Sequence, residues 1–422
     1  MNVIVIGGGW GGVAAALEAA SLQAETLLLE RTDSLLGTGL VGGIMRNNGR
    51  FTVAEEMIHL GGGKLFSLID KNLRHKNISF PGHERACLYD VLALPPKIKP
   101  FLESSGAKVK LGVRIAGACK KENRIISIYD DAGNSYEADF YIDATGTAGP
   151  PASCAKYGNG CAMCVLRCPA FGGRKSICSD LGILEYANTR KEGIGAFSGS
   201  CELLKESLSK EIINSLEQNG KLTVPIPEEL KHDLLSFKAC RQYALEEYRD
   251  NAVLLDNGHA KLMTPYFPLT ELRRLPGFER AVYADPLAGG RGNSVRFTAM
   301  APRDSFLRAE SIENLFFAGE KAGPLVGHTE AIATGTLAGY NAVRLLKGKE
   351  PAAIPDTLAA GDGINYADSR RRQDSSARFT FSGGELFERM KERGTYLIDT
   401  AQIYKRCLLY TSPSPRDISG SR

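Results

Sequence analysis

Gly7, Gly9 and Gly12 form G-x-G-x-x-G between the apolar run Val3, Ile4, Val5, Ile6 and an Ala-rich stretch from Val13 to Leu22, and no other feature restricts the fold as strongly. A strand from Asn2 to Ile6, a glycine turn, a helix, and a second strand from Thr26 to Leu29 ending in Glu30 make a βαβ unit. The first glycine permits the tight turn, the second lets the backbone approach a pyrophosphate, and the third allows close helix-to-strand packing. The helix N-terminus then stabilises phosphate charge. Glu30 follows about 20 residues on, where a carboxylate accepts hydrogen bonds from ribose hydroxyls. The spacing predicts a dinucleotide site that includes Gly7, Gly9, Gly11, Gly12, Glu30 and Arg31.

At 422 residues the chain exceeds a usual single core, so two or three structural units are expected. With 43% hydrophobic and 24% charged residues it has an ordinary globular composition. No apolar run is long enough to span a bilayer, so no membrane segment is expected. A net charge of +4 is small for this length and makes nucleic acid the unfavoured partner. Met1 leads straight into Val3 to Ile6 without room for a secretion signal, which predicts a cytoplasmic protein whose 10 cysteines stay as thiols.

Further along, β-like runs at Val109 to Ile115, Arg124 to Tyr129 and Phe140 to Asp143 precede a change of character. Helices are expected near Cys201 to Leu216 and Pro227 to Arg249. From Leu315 to Phe317 a strand returns, followed by a glycine turn and an Ala/Gly-rich helix to about Leu346. Glu350 to Ser382 reads as a polar tail and Gly383 to Lys405 as a closing helix. The expected class is α/β: a discontinuous Rossmann-like domain (1–150 and 281–347), an inserted cap or substrate domain (151–280) and a helical C-terminal segment (348–406). Leu408 to Asp417 resembles a translated sequencing adapter, so 407–422 is set apart as a non-native tail.

The glycine turn alone does not separate FAD from NAD. Ile142, Asp143, Ala144, Thr145, Gly146 resembles the I-D-A-T-G strand end of FAD-dependent oxidoreductases. The run from Asn314 to Asn341, with Phe317, Ala318, Gly319, Glu320, Gly327, His328, Thr329, Glu330, Ala331, Gly335, Ala338 and Gly339, resembles their closing motif. Over about residues 1–150 and 280–346 the chain thus resembles the broad FAD-dependent oxidoreductase family that includes heterodisulfide-reductase A-type subunits. A looser similarity runs to FAD-dependent tRNA-modifying enzymes, whose closing motif also carries G-x-x-G-x-x-E. The resemblance implies FAD, with Glu320 on the ribityl chain and the next helix N-terminus at the pyrimidine side of the ring, where its positive end favours the reduced state. Ile115, Ala144, Thr145, Gly146, Gly319, Gly327, His328, Thr329, Glu330 and Ala331 join the expected cofactor contacts. His328 reads either as a proton donor near the ring or as a backbone cap.

Cys161, Cys164 and Cys168 with Pro169 form C-x2-C-x3-C-P. A [4Fe-4S] cluster would take Cys154, Cys161, Cys164 and Cys168, with Cys178 as the alternative fourth ligand, although one ferredoxin cysteine upstream is missing. A redox dithiol or catalytic thiol at Cys161 and Cys164, a structural zinc, or inert buried thiols are the other readings. Arg167, Arg174 and Lys175 either depress a neighbouring thiol pKa or are surface charge. Cys87, Cys119, Cys201 and Cys240 read as core. Gly289 to Gly292 with Asn293 and Arg296 is either a turn or an anion-directed loop, and Arg370 to Arg372 a short solvated basic run. The preferred reading is an FAD-dependent oxidoreductase with the thiol loop as second redox site and a small-molecule or protein redox partner. The alternatives are an FAD-dependent tRNA-modifying enzyme, in which a cysteine acts on the base, and an electron-transfer subunit of a larger complex.

Overall fold

All four apolar side chains of β1 (Asn2–Ile6) are buried, as a strand covered on both faces of a parallel sheet requires. The computed structural model describes residues 2–146, 168–187, 189–190, 193–194, 196–197, 201–237, 241–264, 268–284, 295–296, 299–374 and 377–411. In it β1 lies at the centre of a five-stranded parallel sheet with β2 (Glu25–Glu30), β3 (Ala107–Leu111), β4 (Phe140–Asp143) and β5 (Leu315–Phe317), in the order β5-β4-β1-β2-β3. The order reverses at β1, and the crevice beyond the strand ends between β1 and β4 is where such a sheet takes a ligand. This is the α/β, Rossmann-like architecture expected, with β5 supplied from far along the chain.

Two helices cover one face: α1 (Trp10–Ser21) and the C-terminal-motif helix Gly327 introduces, His328–Leu346. Their crossing depends on glycine, because a Cβ on Gly335 would stand 2.1 Å from Gly11 O and one on Gly339 2.4 Å from Ala15 O. A four-stranded antiparallel sheet (Cys201–Leu203, Ala260–Leu262, Asn251–Asp256, Lys221–Pro225, in that order) has its own core around Leu203, Leu216, Leu254 and Phe278. A three-stranded sheet (Ile44–Met45, His83–Tyr89, Leu73–Phe80) shares apolar contacts with Tyr243, Tyr248 and Val253.

Several local expectations change. The stretch from Cys201 begins as a strand because it pairs with Ala260–Leu262, and the helix starts only at Lys210, where the Ser209 side chain accepts the Ile212 N–H. Among the described residues, Pro227 to Arg249 forms short 3-10 turns and the short helix Glu246–Asp250. Its buried Leu230 joins the core of the four-stranded sheet, while Tyr243 and Tyr248 pack together beside the three-stranded one, so they share no common helical face. The polar tail contains the helix Ala359–Gln373, whose apolar residues Ala359, Ala360, Ile364 and Ala367 are buried. The closing helix is two helices, Gly384–Glu392 and Thr400–Thr411, interrupted at Gly394 with φ +63°. The second runs into the stretch set apart as a tail, and Cys407 packs with Leu358 and Ile403. Among the described residues, no helix is long and apolar enough to cross a membrane.

A candidate dinucleotide cleft

The carboxyl ends of the parallel strands open into a cleft whose walls carry the glycine turn, Glu30, Thr145 and Glu320, the place where such a sheet takes a ligand. Gly7 sits in the turn with φ +96°, and a Cβ there would lie 2.7 Å from Ala144 O, so the turn packs directly on the end of β4. A Cβ on Gly12 would lie 1.8 Å from Gly7 O. Gly9 caps α1 without any side-chain bond, which leaves first-turn N–H groups for a ligand oxygen.

Glu30 joins the end of β2 to this turn. Its Oε2 accepts the Gly8 N–H at 2.7 Å and its Oε1 the Thr32 N–H at 2.8 Å. Each carboxylate oxygen keeps a further lone pair for a ribose hydroxyl. On the opposite wall Asp143 Oδ1 accepts both the Thr145 N–H (3.0 Å) and its hydroxyl (2.7 Å), fixing the end of β4. Below it lies a sealed charge cluster. Lys321 Nζ bonds Ser176 Oγ at 2.9 Å and Glu185, and stands 3.8 Å from Asp143 Oδ2. Burial lowers its pKa to about 8, against the pull of Asp143.

At the far end the carbonyls of Gly172 and Gly173 accept bonds from Arg31 and Arg114, while Arg174 reaches Thr145 Oγ1 at 3.3 Å. His328 opens the helix His328–Leu346 and belongs to an aromatic group, with ring centroids 6.3 Å from Trp10 and 6.1 Å from Tyr89. The glycine-rich loop after β2 packs on this group. A Cβ on Gly39 would meet Trp10 Nε1 at 2.4 Å, and one on Gly42 would meet the His328 ring at 1.7 Å.

The cleft therefore brings together Gly7, Gly9, Gly11, Glu30, Arg31, Ile115, Ala144, Thr145, Gly146, Gly319, Glu320, Gly327, His328 and Ala331. Three expected contacts stand elsewhere. Gly12 faces Gly7 inside the turn. Thr329 is fully buried and donates to Met45 Sδ at 3.7 Å. Glu330 turns into the protein, where both oxygens accept the Arg50 Nε–H at 3.0 Å and Oε1 also accepts from Thr380 Oγ1 and the Phe381 N–H. A carboxylate in the first helical turn is as consistent with an internal ion pair as with a cofactor contact, and the chain offers no local sign of Arg50 as its partner.

Sequence reasoning missed Trp10, Thr38, Val113 and Arg114 on the cleft walls, and named Arg174 and Lys175 only for a thiol. It also missed a buried group behind the glycine-rich loop, where Lys261 Nζ bonds Glu202 Oε1 at 3.1 Å and the Val41 carbonyl, and Asn257 Nδ2 bonds Glu202 Oε1 at 3.0 Å.

Cys154, Cys161, Cys164, Arg167, Cys240 and Gly289 to Asn293 lie outside the described residues, Cys168 opens the short helix Cys168–Phe171, and Arg296 ends a two-residue strand. Cys178, the alternative ligand, is 0% exposed in the main core beside Ile177 and Leu181, and burial pushes its thiol up. That setting suits an inert thiol. Among the described residues no group of three or more His, Cys, Asp or Glu is placed to hold a metal. Cys87 and Cys201 are buried as expected, whereas Cys119 is exposed on its strand. The Arg370 to Arg372 run is paired as well as partly solvated: Arg371 and the half-exposed Arg372 bond Asp368 and Glu310, and Arg370 faces Glu385.

Residues 2–264 and 246–350 match the profile of the family described as Glucose inhibited division protein A. The methylenetetrahydrofolate–tRNA-(uracil-5-)-methyltransferase TrmFO of Bacillus cytotoxicus is 49% identical over 57 residues, 14% of this chain and 13% of that protein. TrmFO of Streptococcus sanguinis is 40% identical over 75 residues (17% of each), and that of Bacillus mycoides 34% over 105 residues (22% and 21%). The matched stretches thus span less than a quarter of these relatives' lengths. Among solved structures, Aquifex aeolicus GidA in its form II crystal superposes with TM-score 0.67 at 16% identity, covering 97% of this chain and 74% of that one, which is a likeness of fold.

Proposed function

The chain belongs to the Glucose inhibited division protein A family, and on that premise we propose that it is an FAD-dependent enzyme that modifies a uridine of tRNA. The observation that carries this reading is the combination of the family match with a cleft whose glycine turn has no room for a Cβ and whose Glu30 carboxylate accepts the Gly8 N–H of that turn. The TrmFO relatives, named for a methyl transfer to tRNA uracil, supply the substrate class. They weigh against two expectations. The oxidoreductase of unknown substrate gives way to the tRNA-modifying alternative, and nucleic acid becomes the favoured partner. A net charge averages over the whole surface and says nothing of one RNA-binding face.

The residues fit the cofactor. Glu30 would hold the adenosine ribose, the α1 N-terminus and the turn from Gly7 to Gly12 the diphosphate, and Glu320 the ribityl chain. When bound, FAD supplies electron transfer at its ring. The N-terminus at His328 presents a positive helix end to the cleft. Arg50 neutralises Glu330 in its first turn, so this end keeps its positive character. Trp10, Tyr89 and the glycine-rich loop wall off His328 from one side, which holds its ring in place as a proton donor or cap. Cys161 or Cys164 would provide the thiol that adds to the base.

The test is to incubate purified chain with unmodified tRNA, FAD, a nicotinamide reductant and methylenetetrahydrofolate, then digest the RNA for nucleoside mass analysis. A uridine carrying one added methyl carbon is expected. Flavin-loaded protein that neither retains tRNA on a filter nor alters any nucleoside would overturn the proposal.

A further inference from the structure

Arg174 belongs to none of the three nucleotide motifs, yet it reaches the cleft from the segment after the short helix Cys168–Phe171. Its guanidinium is anchored at two corners: Nε donates to Thr145 Oγ1 at 3.3 Å and Nη2 to Glu185 Oε1 at 2.7 Å. Nη1 has no hydrogen-bond partner among the described residues. Thr145 in turn borders the glycine turn, since a Cβ on Gly7 would lie 3.0 Å from Thr145 Cα. The cation is therefore held beside the glycine turn.

The side chain is 8% exposed, and its ion-pair partner Glu185 is shared with the fully buried Lys321. The Asp143 carboxylate also pulls on Arg174, against the burial that disfavours its charge. A buried guanidinium with one corner unbonded gains from an anionic acceptor. The other cations nearby are committed: Arg114 is bound to Asp131 and the Gly173 carbonyl, Arg31 to the Gly172 carbonyl, and the half-exposed Lys175 lies 3.6 Å from Asp180.

We propose that Arg174 is a further cofactor-binding residue, which places a charged fork on the diphosphate of the bound dinucleotide, with Thr145 and Glu185 as its positioning residues. The inference rests on the FAD reading and is separable from it by experiment. Affinities of the full-length apoprotein for FAD and for riboflavin, which lacks the diphosphate, are measured by flavin fluorescence for wild type, Arg174→Gln and Arg174→Lys, with thermal unfolding as a control for folding. Arg174→Gln is expected to weaken FAD about 10- to 100-fold, the range of a charge-assisted hydrogen bond, and to leave riboflavin unchanged. Arg174→Lys should recover part of the loss, because it keeps the charge without the fork, and it remains informative should the Gln variant fail to fold. Equal losses for both ligands, or wild-type FAD affinity in folded variants of either kind, would overturn the proposal. Wild-type protein that binds no FAD would instead overturn the reading of the cleft.

Discussion

Arg50 and Glu330 meet in full burial, the guanidinium Nε 3.0 Å from both carboxylate oxygens, with side chains 6% and 0% exposed. Arg50 comes from the helix Gly49–Met57 and Glu330 from the first turn of the helix whose end faces the cleft. Arg50 continues to Asn47 Oδ1 (3.2 Å) and Thr380 Oγ1 (3.0 Å), so the pair ties the cleft helix to the C-terminal segment.

Removing one partner leaves the other charge buried. Arg50→Met is expected to cost about 3–5 kcal/mol in urea unfolding, and the double variant with Glu330→Gln less than the sum of the single losses. Additive losses would show that the two side chains act independently. In flavin-loaded protein Arg50→Met should also lower the reduction potential, because an uncompensated carboxylate then opposes the positive helix end.

The α1 crossing tolerates no side chain at Gly335, whose added Cβ would press on Gly11 O at 2.1 Å. Backbone cannot swing aside as a flexible side chain can, so Gly335→Ala should lose about 1–3 kcal/mol of stability and displace the glycine turn. Reduced FAD occupancy with a lower melting temperature is the expected pair of readouts; unchanged values for both would mean the helices cross more loosely.

Glu56 caps the helix Ala359–Gln373 from a distant part of the chain, accepting the Ala359 and Ala360 N–H groups at 2.8 Å each. Burial raises its pKa from 4.5 to about 7 despite those bonds. The folded state therefore holds a proton that the unfolded chain has released between about pH 4.5 and 7. Its contribution is fully present below 4.5 and lost as pH rises through 7. Glu56→Gln should flatten the stability profile across that window, leaving the slope of other buried carboxylates such as Glu18, which burial also raises to about 7. Glu56→Ala, which orphans both N–H groups, should cost about 1–3 kcal/mol. A wild-type profile retained by the Gln variant would count against a titrating Glu56.

Thiol chemistry on the base predicts that Cys161→Ser or Cys164→Ser abolishes nucleoside modification while the flavin stays bound. Iron and acid-labile sulfide, assayed in the same preparations, separate this from a cluster: stoichiometric iron lost in the variants would restore the iron–sulfur reading. Full activity in both variants would remove these cysteines from the reaction.

The dinucleotide half was readable because its signals are local. Gly7, Gly9, Gly12 and Glu30 lie within one βαβ unit, where spacing along the chain dictates spacing in space. Glu320 was placed by resemblance to a motif of equally short range. The start of the region from 201 to 250 was misread because the strand at Cys201 forms only by pairing with Leu262, 61 positions away, and a propensity for helix yields to that pairing.

Turn chemistry and the period of apolar residues thus settle the unit from β1 to β2 and its glycine turn, since these arise between neighbours in the chain, whereas the fifth strand and the far wall of the cleft come from distant segments. Glu330 on Arg50, Glu56 on Ala359 and Ala360, and Arg174 between Thr145 and Glu185 were decided by packing alone. A charged side chain takes its meaning from the partner it is buried with, and that partner is chosen only when distant segments come together.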